Sequence, residues 1–147
     1  MSIPYAVSGS QSLFDRAEIR DVLAYLRLLL NPSDDAAFLR VVNTPRRSIG
    51  TRSLEALTAF ATARRSPLLA AAEHPEFPAD QPPRLTRGLV EFAAWVRRTA
   101  AAAQADGVPA LRRMLVEIDY QGWLADQTAT EDGGRSRWNA VLALLGH

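Results

Sequence analysis

The sequence predicts an all-α fold, on three observations. Apolar residues recur at three- and four-residue spacing along successive stretches of the chain, as the buried stripe of a helix requires. A period-two alternation is absent beyond the first few residues. Prolines, glycines and capping residues cut the chain at intervals of helix length. With 48% hydrophobic and 22% charged residues in 147, the chain has the composition of a soluble globular domain. It is long enough to bury roughly 70% of its unfolded surface.

The elements follow in order. Ile3-Pro4-Tyr5-Ala6-Val7 reads as a short extended segment stopped by Ser8-Gly9-Ser10, an orphan strand with nothing to pair against. Asp15-Arg16-Ala17-Glu18 has capping-box spacing, with Asp in place of Ser or Thr. It opens a helix whose apolar stripe is Ile19, Val22, Leu23, Leu26, Leu29 and Leu30, ended by Asn31-Pro32. A second, short helix starts near Ser33 or Asp34 and buries Phe38, Val41 and Val42. It stops at Thr44-Pro45, because a residue before proline avoids helical geometry. Arg46 to Gly50 form a connector, and Thr51 reads as the cap of a third helix through Leu54, Leu57 and Ala61. Ser66-Pro67 reads as cap and first position of a fourth. His74 to Pro83, with four prolines, reads as a loop. An alanine-rich helix over Arg84 to Ala105 follows, carrying Leu85, Leu89, Phe92 and Val96, and Asp106-Gly107 ends it. Pro109 opens another helix, with Leu111, Leu115 and Ile118. Thr128 to Gly134 reads as a polar loop, and a last helix from Arg135 carries Trp138, Val141, Leu142 and Leu145.

Composition excludes several chemistries. Cysteine is absent, so disulfides, thiolate metal sites and cysteine nucleophiles are absent together. All 17 basic residues are arginine, so there is neither a Schiff-base lysine nor a phosphate-loop lysine. A self-contained nucleotide hydrolase of the usual kind is thereby excluded. His74 and His147 lack the spacing of a zinc pair. Asp34 and Asp35 suit a helix start better than a magnesium site, and Glu131-Asp132 reads as a solvated loop pair. Trp95, Trp123 and Trp138 are possible stacking platforms for single strands, although Trp138 falls on an apolar stripe and is better explained by core packing. No catalytic constellation is present. The opening MSIPYAVSGS is no secretory signal, and Leu23 to Leu30 is too short to span a bilayer. A cytoplasmic protein with no membrane partner is therefore expected.

The formal net charge of +1 hides a segregation. Arg40 to Arg65 hold six arginines against Glu55, and Arg84 to Arg113 hold six against Glu91 and Asp106. The remaining segments, 1–39, 66–83 and 114–147, are each net acidic. A strongly basic segment centred on a tight interhelical connector suits phosphate binding: arginines supply charge and planar donors, and the amides of the next helix start supply a positive dipole end. An ordinary solvated face of long arginines is the competing explanation.

The block from Ile3 to Thr51 resembles the UvrD/Rep/PcrA family of superfamily 1A DNA helicases, where motor domain 2A gives way to the accessory domain 2B. Phe14-Asp15-Arg16-Ala17-Glu18-Ile19-Arg20-Asp21 is similar to a family block in which lysine usually stands at the position of Arg20. Leu23-Ala24-Tyr25-Leu26-Arg27 and Asn43-Thr44-Pro45-Arg46-Arg47 continue it in register, and Ile118-Asp119-Tyr120 with Trp123-Leu124 is similar to the Rep branch. The resemblance implies residues 1–10 as the end of a motor strand with its boundary linker. Residues 11–147 would be a helical 2B domain with its proline-rich loop at 74–83, excised from a longer chain, Met1 being an added start. It implies a parent that uses ATP and magnesium to move 3′ to 5′ on DNA, in replication or repair, while this part holds no cofactor and has no catalysis of its own. The implied partners are duplex backbone near a single-strand/duplex junction and the motor domains of the same polypeptide. The family touches duplex through a glycine-isoleucine-glycine turn similar to a helix-hairpin-helix, and here that turn reads Ser48-Ile49-Gly50. A positive φ at Ser48 would cost about 1 kcal/mol. Ile49 and Gly50 carry over from the resemblance; Ser48 stands in the turn, and Arg46, Arg47 and Thr51 are nominated by charge and position. If three arginines each neutralise one phosphate, log affinity falls against log salt with a slope near −2.7. The alternative function is a regulatory module that docks on the motor or a partner protein, without DNA affinity, through its second basic stretch or its acidic C-terminal third.

Overall fold

The computed structural model describes residues 16–79, 81–128 and 130–146. The expected strand at Ile3 to Val7, and Asp15 of the capping box, lie outside them. Nine helices are present among the described residues. They are α1 (Ala17–Leu30), α2 (Asp35–Val41), α3 (Thr51–Arg64), α4 (Leu68–Glu73), α5 (Glu76–Ala79), α6 (Pro83–Asp106), α7 (Val108–Glu117), α8 (Tyr120–Asp126) and α9 (Glu131–Leu144). The all-α expectation holds.

Two helices organise the rest. α1 packs against α2, α6 and α9, and α6 packs against α3, α4, α5 and α7; α8 fills the corner between α7 and α9. Both central helices are amphipathic. α1 buries Ile19, Val22, Ala24, Tyr25 and Leu28, and α6 buries Leu89, Phe92, Ala93 and Val96. Leu30, expected on the stripe, is instead 86% exposed. Three successive leucines cannot all face one side of a helix, and Leu28 takes the inward position. The aromatic centre is ordered by edge-to-face contacts, Phe38 on Phe92 at 5.5 Å and Tyr25 on Trp95 at 6.0 Å, with Phe92 and Trp95 stacked at 6.0 Å.

Helix ends show where local chemistry decided and where a distant residue did. Arg16 holds the N-cap position of α1 without a side-chain bond, so Glu18 falls at the second helical position, not at the reciprocal one of a capping box. Asp34 caps α2 as expected, its Oδ1 accepting from Ala37 N–H at 3.0 Å. Asp35 Oδ1 reaches across to accept from Leu68 N–H at 2.9 Å, so α4 is capped by another helix and begins one residue later than Ser66-Pro67 suggested. The proline-rich stretch is not all loop. α5 forms a single turn there because Phe77 is fully buried, packing on Phe60 at 5.4 Å, while His74 Nδ1 accepts from Glu76 N–H at 3.1 Å. Gly107, at φ 68, joins α6 to α7 with no intervening loop, a backbone state that costs glycine little. α8 was not separated from its neighbours by sequence. α9 starts at Glu131 rather than Arg135, because Thr130 caps it at Gly133 N–H (3.0 Å) and Gly134 is buried against α8. Glu131 and Asp132 thus sit in a helical first turn, where acids complement the dipole.

A buried polar cluster ties the C-terminal part to α1. The Tyr120 hydroxyl donates to Asp21 Oδ2 at 3.0 Å, and Arg40 Nε donates to Asp21 Oδ1 at 3.0 Å. Burial holds the Asp21 carboxyl above the usual carboxylate range, with Tyr120 and Arg40 opposing the rise. Burial, and then the Asp21 carboxylate, raise the Tyr120 hydroxyl as well.

Candidate nucleic-acid interface

The basic connector runs from the end of α2 to the start of α3 and crosses a cis Thr44–Pro45 peptide. Two side chains build it from within. Asn43 Nδ2 donates to the Ile49 carbonyl at 2.6 Å, and its Oδ1 accepts from Ile49 N–H at 3.1 Å and from Arg47 N–H at 3.3 Å. One side-chain amide therefore closes the loop in place of backbone pairing.

The two adjacent arginines are placed oppositely. Arg47 turns inward: Nη1 donates to the Val41 carbonyl at 2.8 Å and the Val42 carbonyl at 3.2 Å, and Nη2 donates to the Tyr25 hydroxyl at 2.8 Å. Its guanidinium carbon lies 4.7 Å from the Phe92 ring centre and 5.3 Å from that of Trp95. The cation thus neutralises the carbonyl end of α2 and sits on two aromatic rings, both favourable. The Tyr25 hydroxyl in turn donates to the Thr44 carbonyl. Burial pushes Tyr25 up to about 12, against the opposing pull of Arg47. Arg46 is exposed and has no acidic partner among the described residues.

The turn itself has three parts. Ser48 is exposed at φ 60, in the left-handed region, where a serine costs about 1 kcal/mol. Ile49, 6% exposed, inserts toward α6. A Cβ at Gly88 would lie 3.1 Å from Ile49 Cγ1, so that glycine lets the anchor approach the helix. Gly50, at φ −81, is the N-cap of α3, and Thr51 is the first helical residue instead of the cap. Gly50 needs no glycine for its backbone, and nothing lies within 4 Å of the place a Cβ would take. The turn is therefore bare on its outer side.

Beyond Gly50, α3 carries no acid in its first turn and no side-chain cap. The first helical bond is Leu54 N–H to the Gly50 carbonyl at 3.1 Å, so the amides of Thr51, Arg52 and Ser53 have no acceptor among the described residues. Arg52 is exposed beside them and has no acidic partner there either. Arg46, Ser48, Gly50, Thr51 and Arg52 are all exposed, while Arg47 and Ile49 hold the connector from inside. Sequence reasoning missed Asn43 and Arg52. Asn43 stood within the motif block, and Arg52 was counted only as charge.

A short connector between helices, with unpartnered amides, no acid and two outward arginines, defines an anion-facing module. Residues 1–66 match the UvrD-like helicase C-terminal domain family. The chain belongs to the UvrD/Rep/PcrA family of DNA helicases. It is 40% identical to the ATP-dependent DNA helicase Rep of Salmonella typhimurium and 36% identical to that of Escherichia coli, over 97% of the chain in both cases. DNA helicase II of Escherichia coli is 57% identical over 37% of the chain. The chain spans 21% of the length of the two Rep relatives.

Proposed function

We propose that this chain is the accessory 2B domain of a Rep-like ATP-dependent 3′–5′ DNA helicase, gripping duplex backbone without reading sequence and thereby regulating unwinding. The observation that carries this reading is the exposed α2–α3 connector and α3 start: acceptor-free amides of Thr51 and Arg52, with the exposed side chains of Arg46 and Arg52. Such a surface positions phosphates and leaves base edges unread. ATP and magnesium would be held by motor domains of the same polypeptide; this chain supplies no lysine to a phosphate loop, and by itself it is catalytically silent. Arg46, Ser48, Gly50 and Thr51 face the DNA. Arg47 and Ile49 act through the loop they hold.

Duplex titration over a salt series tests this, comparing wild type with Arg46→Glu/Arg52→Glu. Two phosphate contacts contribute a slope of about −1.8 in log affinity against log salt, which the charge reversal should remove. Equal affinity and equal slope would sink the reading.

A second reading rests on α6, where Arg84, Arg87 and Arg98 are exposed without acidic partners among the described residues, whereas Arg97 is tied to Glu73 at 2.6 Å and Arg113 to Asp106 at 2.6 Å. That face would dock on the motor or a partner protein. Added to the separately expressed motor, the chain would then inhibit unwinding without any duplex affinity of its own.

A further inference from the structure

Beside the turn lies a groove of about 360 Å³ lined by Asn43, Arg46, Ser48, Ile49, Gly50 and Trp123. Trp123 comes from α8, far away in sequence, and brings an aromatic wall to the basic connector. Its surroundings differ from those of Trp95. The Trp95 indole N–H donates to Glu117 Oε1 at 2.7 Å and its ring belongs to the aromatic centre. Trp123 is likewise half-buried and packs against the core, but its N–H has no acceptor among the described residues. No acidic side chain lines the groove, Arg46 supplies a cation, and the outer side of Gly50 is open.

Size decides what fits. Small-ligand pockets run from about 300 to 1,000 Å³, so the groove is at the lower limit and admits one planar group of nucleobase size. A duplex can touch the rim but cannot enter. We propose that this groove takes one unpaired nucleotide, its base against Trp123 and its phosphate at Arg46, so that the module favours a junction over continuous duplex. The proposal rests on the duplex reading above and adds a site to it. Stacking on an aromatic side chain tolerates any base, in keeping with a surface that reads no sequence. Charge complementarity favours a nucleotide over an apolar segment, because the groove adds the Arg46 cation to its apolar walls, Trp123 and Ile49, and holds no acid.

The test compares a blunt duplex with a duplex bearing one unpaired nucleotide at a single-strand junction, using the intact chain. Wild type should prefer the junction by roughly tenfold, within the range that base–aromatic stacking supplies. Trp123→Leu should abolish the preference while leaving blunt-duplex affinity unchanged, and Trp123→Phe should retain most of it. A 2-aminopurine placed at the unpaired position should be quenched on binding wild type, a measurement that needs no variant to fold. Absence of quenching, or an unchanged preference in Trp123→Leu, overturns the proposal. Self-association through Trp123, read as a doubled mass that DNA does not reverse, also overturns it. Failure of the duplex reading is seen separately, as blunt-duplex binding indifferent to Arg46→Glu/Arg52→Glu.

Discussion

Replacing Arg47 by alanine separates two arginines that sequence could not tell apart. The substitution removes donors to the Val41 and Val42 carbonyls at 2.8 and 3.2 Å and to the Tyr25 hydroxyl at 2.8 Å. Hydrogen bonds from a charged group are each worth about 1.5–3 kcal/mol net. Placement over the Phe92 and Trp95 rings adds about 0.5–2 kcal/mol. These terms share one side chain and do not add fully. Arg47 is also half-buried, so water can reach part of what it leaves. The expected loss is therefore about 2–4 kcal/mol. For a domain of this size that is a fall in Tm of roughly 6–15 °C, from a few degrees per kcal/mol. Arg46→Ala, with no partner to lose, should stay within about 0.5 kcal/mol of wild type. Arg47→Lys should be intermediate, since an ammonium cannot serve the helix end and the tyrosine from one planar fork. Urea unfolding followed by far-UV circular dichroism reads all three. If Arg47→Ala and Arg46→Ala are equally stable, the inward clasp has no energetic role and the division of labour in the connector is wrong.

Other outcomes follow from the same contacts. Asn43→Ala loses the amide that bonds Ile49 on both sides and should cost about 1–3 kcal/mol; it should also weaken duplex binding beyond its effect on stability, because the turn loses its shape. Equal duplex affinity in a still-folded Asn43→Ala would show that the turn is not preorganised by that side chain. Tyr120→Phe leaves Asp21 Oδ2 without its donor and should cost about 1–2 kcal/mol in denaturant unfolding; no measurable loss would mean the bond is not formed. The Asp21 carboxyl is raised in the folded state by burial, so its contribution to stability is fully present below the unfolded value of 3.8 and is lost as pH rises through the folded one. The stability of wild type relative to Asp21→Asn should accordingly decline upward from that pH; a difference that rises with pH would reverse the assigned cause.

Much of the fold was legible because it depends on neighbours in sequence. The stripes of α1 and α6, the Asp34 cap, the stop at Thr44-Pro45 and the break at Gly107 follow from periodicity and local backbone chemistry. The misplaced boundaries have a different origin. α4 starts where Asp35 caps it, α5 exists because Phe77 has a core to enter, and α9 starts early because α8 covers Gly134. Each depends on a residue far along the chain or on burial, which no local window contains.

By itself the sequence determined an all-helical chain of the UvrD/Rep/PcrA family, without cysteine or lysine, whose charge gathers around the α2–α3 connector. Charge and motif position treat Arg46 and Arg47 alike. Tertiary structure alone decided that Arg47 turns inward, because the carbonyl end of α2 and the rings of α1 and α6 meet there. It likewise brought Trp123 to the turn from α8. The direction a side chain takes depends on what the rest of the fold places opposite it, and that is settled only when the helices pack.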